Sequence, residues 1–460
     1  MPDSGHNDNA QSVHEGDQAI YAEHWCCTFA QILIPYFLAG SGTITAGIML
    51  GNVQDWSVFQ DMNEIFMLVP ALCGLKGNLD MCVASRLSTL SNMGSLQNSG
   101  NIREILVGNL ALVQVQAIVC SLLLTTTVCI ISTVSTPAAT DVALHHYGTL
   151  MAATLITSSI SCLLLDTILM LVILFSQRYS FNPDYMAIPI VASIGDVMSI
   201  SLLAFSAAVI YDLSKHHIWV SLIVVLIYLV FFLPLWIIIV WHNEFTRVVL
   251  KYGWVPVLGA LCISQVSGYV LSSAVDEFRG FAVFSPIISG LGGNLVSVQA
   301  SNMGSILHRR SQLGTLPTDT HIWEWPHHVM LYGTVYSRVS RILLIVSVPG
   351  NIVLICSADY LYKSIISVTA IFVGSYVLTS LIQLLILLWV AHSMVHLMWK
   401  YKIDPDSAAI PYLTALGDSL GSGLLLCMFY ILRCIRQEYQ GKRAPWLRIS
   451  YDDALRKQVV

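Results

Sequence analysis

Residues 217–241 include the run WVSLIVVLIYLVFFLPLWIIIVW, which has no formal charge. A run of that length and apolarity matches the roughly 20 residues a helix needs to cross the hydrocarbon of a bilayer. The rest of the chain is of the same kind. Soluble domains are about a quarter charged, whereas this chain is 11% charged and 55% hydrophobic, with a mean hydropathy of +0.70. The sequence therefore predicts an all-α polytopic membrane protein whose partner is the lipid bilayer. Eleven spans are expected, at about 25–51, 63–84, 106–133, 147–176, 186–211, 217–241, 254–275, 282–300, 340–357, 365–398 and 407–433. A net charge of −5 offers no footprint for nucleic acid. The eleven cysteines, among them Cys120, Cys129, Cys162, Cys262 and Cys427, are scattered through apolar runs. They read as small buried residues rather than a disulfide frame or a metal site.

Two spans break the pattern. Residues 74–88 read GLKGNLDMCVASRLS and residues 290–304 read GLGGNLVSVQASNMG, with seven of fifteen positions identical. A second pair lies downstream: NPDYMAIPIVASIGD at 182–196 and DPDSAAIPYLTALGD at 404–418, again with seven matches. Order and spacing are kept, 118 residues from Asn78 to Asp196 and 124 from Asn294 to Asp418. Such self-similarity marks a duplication. Residues 1–24 form a polar tail, 25–212 the first repeat, 213–253 a linker helix and loop, 254–433 the second repeat and 434–460 a C-terminal tail. Five spans end on the face opposite their start, so the single linker span makes the repeats parallel, related by an axis along the membrane normal. The linker itself should face lipid.

Orientation follows from Lys and Arg in short loops. Arg86, Arg103, Arg178, Arg247, Lys251, Arg309, Arg310, Arg338, Lys400 and Lys402 fall on the N-terminal side, against Lys215, Arg279 and Lys363 opposite. The N-terminal side is then cytoplasmic. The C-terminal end conflicts, since eleven spans put the seven basic residues from Arg433 onward outside. Either that tail is tolerated there or one span is miscounted.

Asp196 and Asp418 carry the strongest chemical signal. Each lies in an apolar span, directly after a glycine and seven residues after a proline, Pro189 or Pro411. A carboxylate in the membrane is costly and functional by default. Two of them across a two-fold axis repel unless a cation sits between them or one takes a proton. Oxygen ligands suit Mg²⁺ or Ca²⁺, and two carboxylates with retained waters suit hydrated Mg²⁺ better than a Ca²⁺ cage. Gly74, Gly77, Gly290, Gly292 and Gly293 permit close helix approach or a broken helix. Asn78 and Asn294 would line the pathway. Arg86, with Asn302 as its repeat equivalent, reads as a cytoplasmic anchor. Asp184 and Asp406, in the NPD and DPD turns, read as helix starts or as a cation-attracting cytoplasmic end. Asp80 and Asp166 have no repeat equivalents, and Asp166 is expected to be a locally hydrogen-bonded residue. His392 and His396 are expected to pack.

Two other readings stay open on residues alone. An intramembrane aspartyl protease also uses two membrane aspartates and a PAL motif, present here as Pro70-Ala71-Leu72. However, the PAL precedes both acids, and Ser193 and Ala415 stand where a glycine would be needed. An organic-solute carrier would need repeated aromatic or basic groups facing the pathway, and few are repeated.

In these four stretches the chain resembles solute carrier family 41, the animal relatives of MgtE magnesium transport proteins, from about residue 25 to 433. The resemblance implies two halves that mimic the MgtE pore dimer within one chain, so that a monomer works as a pseudo-dimer. It implies Mg²⁺ as transported substrate, no resident cofactor, no enzymatic activity, and Na⁺ as exchange partner in some members. It places the pore acid at Asp196 and Asp418, and gives the residue four before it, Ala192 and Thr414, a backbone contact with the hydrated ion. Ser85 with Arg86 and Ser301 with Asn302 become the cytoplasmic, gating end, where Asn302 and Gly304 depart from the usual Arg and Ser. The 24-residue N-terminal tail is too short for the cytoplasmic Mg²⁺-sensing domains of MgtE. The plasma membrane is the expected location, with the mitochondrial inner membrane as the alternative.

Overall fold

The structure is a computed structural model. It describes residues 25–92, 99–135, 140–178, 183–217, 219–317, 320–331 and 336–439, without the side chains of 25–28, 30, 31, 35, 85, 88–92, 99–101, 135, 140–144, 175–193, 216, 252, 309, 406 and 407. Among these residues every regular element is helical, and eleven helices are long and apolar enough to cross a membrane. They are α1 (Trp25–Val53), α2 (Glu64–Asn92), α3 (Ser99–Ser135), α4 (Thr140–Arg178), α5 (Pro183–His216), α6 (Trp219–His242), α7 (Trp254–Val275), α8 (Phe281–Arg310), α9 (Ser337–Lys363), α10 (Ala370–Lys400) and α11 (Pro405–Cys434). Each falls on an expected span, and several run past its apolar part. α5 and α11 start at Pro183 and Pro405, the first helical position where proline's missing N–H costs nothing.

α6 packs against α3, α4 and α5 and is the most exposed span, with Trp219 and Val230 about 70% accessible. One π-helical turn, Tyr228–Phe232, interrupts it just before Pro234, where the ring displaces an ordinary helical bond. Its wholly apolar surface fits contact with lipid.

Elsewhere the halves interlock. α1 packs on α5 and on α8, while α7 packs on α11 and on α2. The first helix of each half thus lies against the motif-bearing helix of the other. Both crossings are made by a glycine. A methyl group on Gly47 would overlap the backbone carbonyl of Val283, and one on Gly268 would overlap that of Met67. Membrane helices gain little from burying apolar surface against lipid, so such close backbone contact is what holds them together.

The glycine motifs are not breaks. α2 runs unbroken through Gly74–Gly77 and α8 through Gly290–Gly293, although each contains a proline, Pro70 or Pro286. Of the two expectations for these glycines, close approach is the one realised. A methyl at Gly417 on α11 would stand 3.0 Å from the Gly293 nitrogen.

The count of eleven is supported at the far end. Tyr439 donates to Asp359 Oδ1 (2.6 Å) and lies under the Lys363 ammonium, 3.6 Å from its ring centre. Gly280, with φ +82°, faces the same ring. Burial, then the Asp359 carboxylate, pushes the Tyr439 hydroxyl well above its ordinary range. The C-terminal segment therefore begins beside the α7–α8 and α9–α10 connections, at the end of the bundle opposite the start of α1. His392 and His396 are buried as expected: His392 Nε2 is 3.1 Å from the His321 carbonyl, and His396 packs on Tyr336.

Gly268→Ala should cost about 1–3 kcal/mol, because a backbone carbonyl cannot yield as a side chain does. It should lower the thermal midpoint of the purified protein in detergent. Gly423→Ala, on a helix face with open space, should leave the midpoint unchanged or raise it slightly.

Candidate functional site

Where α2 and α8 cross α5, α7 and α11, they enclose a cavity of about 110 Å³, room for several waters. Both halves line it in the same way. Pro70 and Pro286, Cys73 and Ser289, Gly74 and Gly290, Gly77 and Gly293, Asn78 and Asn294, and Asp196 and Asp418 all face it, and each pair is equivalent in the repeat.

The two acids are seated by the opposite half. A methyl group at Gly290 would lie 3.8 Å from Asp196 Oδ2, and one at Gly74 would lie 3.3 Å from Asp418 Oδ2. Each carboxylate therefore reaches over the motif glycine of the other repeat, in space that any side chain there would narrow. Thr43 of α1 covers Gly290, and Ser264 of α7 covers Gly74. Asp196 repels Asp418, so the acids share one electrostatic environment. Among the described residues no three His, Cys, Asp or Glu side chains converge on a point. The site offers two carboxylates and amides rather than a closed cage.

Thr414 links the halves directly. Its hydroxyl lies 2.9 Å from Asn78 Oδ1 and 3.1 Å from the Ile410 carbonyl, while Asn78 Nδ2 is buried without a partner. Turning the amide over, an orientation set by the hydrogen-bond network, lets Nδ2 donate to Thr414 and frees the carbonyl oxygen. Thr414 is one helical turn before Asp418, on the same face.

Not every sequence candidate reaches the cavity. Pro411 is buried but lies outside its lining, because seven residues put it about 10 Å along α11 from Asp418. The prolines on the cavity are Pro70 and Pro286. The side chains of Asp184, Pro189 and Ala192, and those of Ser85 and Asp406, lie outside the described residues. Asn302 is half-buried and Ser301 exposed, and neither lines the cavity. Arg86, expected as a cytoplasmic anchor, is half-buried and donates from Nε to Asn109 Oδ1 of α3 at 3.0 Å. Asp166 is hydrogen-bonded as expected: it is fully buried, with its carboxyl against that of Asp80 on α2.

Of three further charged residues near the cavity, Asp80 and Asp166 were not expected at the site, and Lys76 was expected only as the position, unmatched by Gly292, where the pathway is asymmetric. Lys76 and Asp80 line the cavity, 3.6 Å apart and buried, and Asp166 of α4 faces Asp80. The legible signal was a lysine and an aspartate four residues apart in a membrane span, one turn of the same helix face.

A family profile described as a divalent cation transporter, MgtE, matches the chain twice, at residues 69–206 and 285–428. The two segments begin and end at repeat-equivalent residues. The chain belongs to solute carrier family 41, within the MgtE-like proteins. It is 39% identical over 420 residues to solute carrier family 41 member 2 of Xenopus laevis, covering 91% of this chain and 74% of that one. It is 38% identical to the Homo sapiens member 2, covering 87% and 70%, and 38% identical to member 3 of Rattus norvegicus, covering 88% and 87%. No solved structure matches it. As a family 41 chain it is an integral membrane protein and a polytopic transporter of a divalent-cation family, not an enzyme. The protease reading falls with that assignment.

Thr414→Val should leave the Asn78 amide wholly unpaired and cost about 1–3 kcal/mol, read as a lower thermal midpoint in detergent. Thr414→Ser should restore it.

Proposed function

We propose that this chain carries hydrated Mg²⁺ through the cavity between two parallel, pseudo-symmetric five-helix halves, with α6 as the linker that makes them parallel. Asp196 and Asp418 hold the ion through its waters, and Asn78, Asn294 and the backbone at Ala192 and Thr414 complete the outer shell. One observation carries this reading: each aspartate lies over the motif glycine of the opposite half. The two acids therefore face one shared, water-sized space from both sides. Mg²⁺ sheds water reluctantly and is typically held by one or two carboxylates with several waters retained, which suits two acids in a cavity better than a dry cage. The reciprocal crossings at Gly47 and Gly268 support the two-fold relation, as does the double match to the family profile.

The positively charged loops put the N-terminal side in the cytoplasm, and the plasma membrane is the proposed location. Na⁺ is the exchange partner in this proposal, on the strength of the family resemblance. One chain holds both halves of the site and so works as a monomer.

In vesicles reconstituted with the purified protein and loaded with a Mg²⁺-sensitive dye, Asp196→Asn and Asp418→Asn should each cut Mg²⁺ flux at least tenfold. Loss of one carboxylate removes more than about 1.4 kcal/mol of attraction. Wild-type flux in both variants would refute the paired-acid site. An opposing Na⁺ gradient should drive Mg²⁺ uphill in the same vesicles; flux that only follows the Mg²⁺ gradient would make the protein a channel.

A further inference from the structure

The site is symmetric in Asp196 and Asp418 but not in the charged residues around them. Lys76 on α2 is 4% exposed, with its ammonium 3.6 Å from Asp80 Oδ2. That ammonium also sits against Gly195, where a methyl group would overlap Nζ, beside Asp196, whose carboxylate it attracts. The repeat equivalent of Lys76 is Gly292. There the same space is filled from α10 by Gln383, whose Nε2 donates to the Gly417 carbonyl at 2.9 Å. Gly417 is the equivalent of Gly195. A neutral amide thus does for the second half what a charged ammonium does for the first.

Packing and hydrogen bonding at this place do not require a charge, yet the first half carries one. It also carries two acids that the second half lacks. Asp80 is matched by Val296 and Asp166 by Leu388. Asp166 is fully buried, and its carboxyl meets that of Asp80, which pairs in turn with Lys76. Removing one member of a buried ion pair is costly, while replacing the whole pair by apolar groups often is not, and the second half does without the cluster. Lys76 lies between two anionic stations, Asp196 at the cavity centre and the Asp80–Asp166 pair behind it. Four flexible methylenes let its ammonium reach either.

We propose that Lys76 is a tethered counter-cation that competes with the transported divalent cation for Asp196. In the cation-free cavity the ammonium is shared, paired with Asp80 and offsetting the charge of Asp196. An entering divalent cation displaces it onto Asp80 and Asp166, and its return expels the ion. The inference rests on the transport reading above, and adds that the ion binds against a resident positive charge in only one half.

The test is the half-saturating Mg²⁺ concentration and maximal rate in reconstituted vesicles, with Mg²⁺ binding by calorimetry on the same preparations. Lys76→Gln, which copies the amide of the second half, should lower the half-saturating concentration about tenfold and slow the maximal rate, since release loses its driving charge. Asp80→Asn should do the opposite to affinity, because Lys76 loses its alternative station and stays on Asp196. The double variant Lys76→Gln/Asp80→Asn should behave like Lys76→Gln. If Lys76 merely pairs with Asp80, the single variants will weaken binding alike and the double variant will restore it, and the proposal fails. It also fails if neither single variant moves the half-saturating concentration by more than about twofold. Lys76→Met gives the same reading should Lys76→Gln fold poorly. Absence of Mg²⁺ flux from the wild-type protein, or wild-type flux in Asp196→Asn and Asp418→Asn, would instead overturn the transport reading itself.

Discussion

A carboxylate drawn away from water inside a membrane bundle must be compensated, and most of this molecule follows from how that is done. Asp196 and Asp418 face a cavity from opposite halves, each over a glycine of the other. Asp80 and Asp166 lie just behind. Against these four acids stand Lys76 and Arg86, so acidic groups outnumber basic ones around the cavity. Desolvated negative charge attracts a cation far more strongly than it would in water. A cavity lined by carboxylates and amides suits water, where an apolar one would stay dry.

The cavity survives because the surrounding helices cannot close on it. α1 and α7 are fixed to the opposite half by the contacts at Gly47 and Gly268, backbone against backbone. α11 is pressed on α8 at Gly417 and Gly293. These crossings set the distance between the motif helices. Glycines facing inward at Gly74, Gly77 and Gly290 then leave room that larger residues would fill. Small residues therefore act twice, as the contact that locks the bundle and as the gap that leaves the cavity open.

The spans were legible because a bilayer demands about 20 apolar residues at a time, and α6 shows that constraint in its purest form. The pairing of Asp196 with Asp418 and of Asn78 with Asn294 was legible because duplication printed it twice. What the sequence left ambiguous was local. Glycines within a span are compatible with a broken helix or a tight crossing, and only the neighbour across the gap decides between them. Arg86 looked like an anchor because basic residues at span ends usually are; its bond to Asn109 depends on α3 lying alongside. Lys76 was the unmatched position of a matched motif. Its meaning depends on Gln383, which reaches the equivalent place from a different helix and so leaves no trace in the alignment of the repeats.

The central claim is one hydrated divalent cation shared by Asp196 and Asp418. Electron–nuclear double resonance on Mn²⁺, as a stand-in for Mg²⁺, bound to the protein in lipid nanodiscs tests it most directly. The account predicts one bound ion per chain that retains several of its waters, is displaced by Mg²⁺, and is absent from the Asp196→Asn/Asp418→Asn double variant. A bound ion stripped of water, or one that persists in that variant, would contradict it.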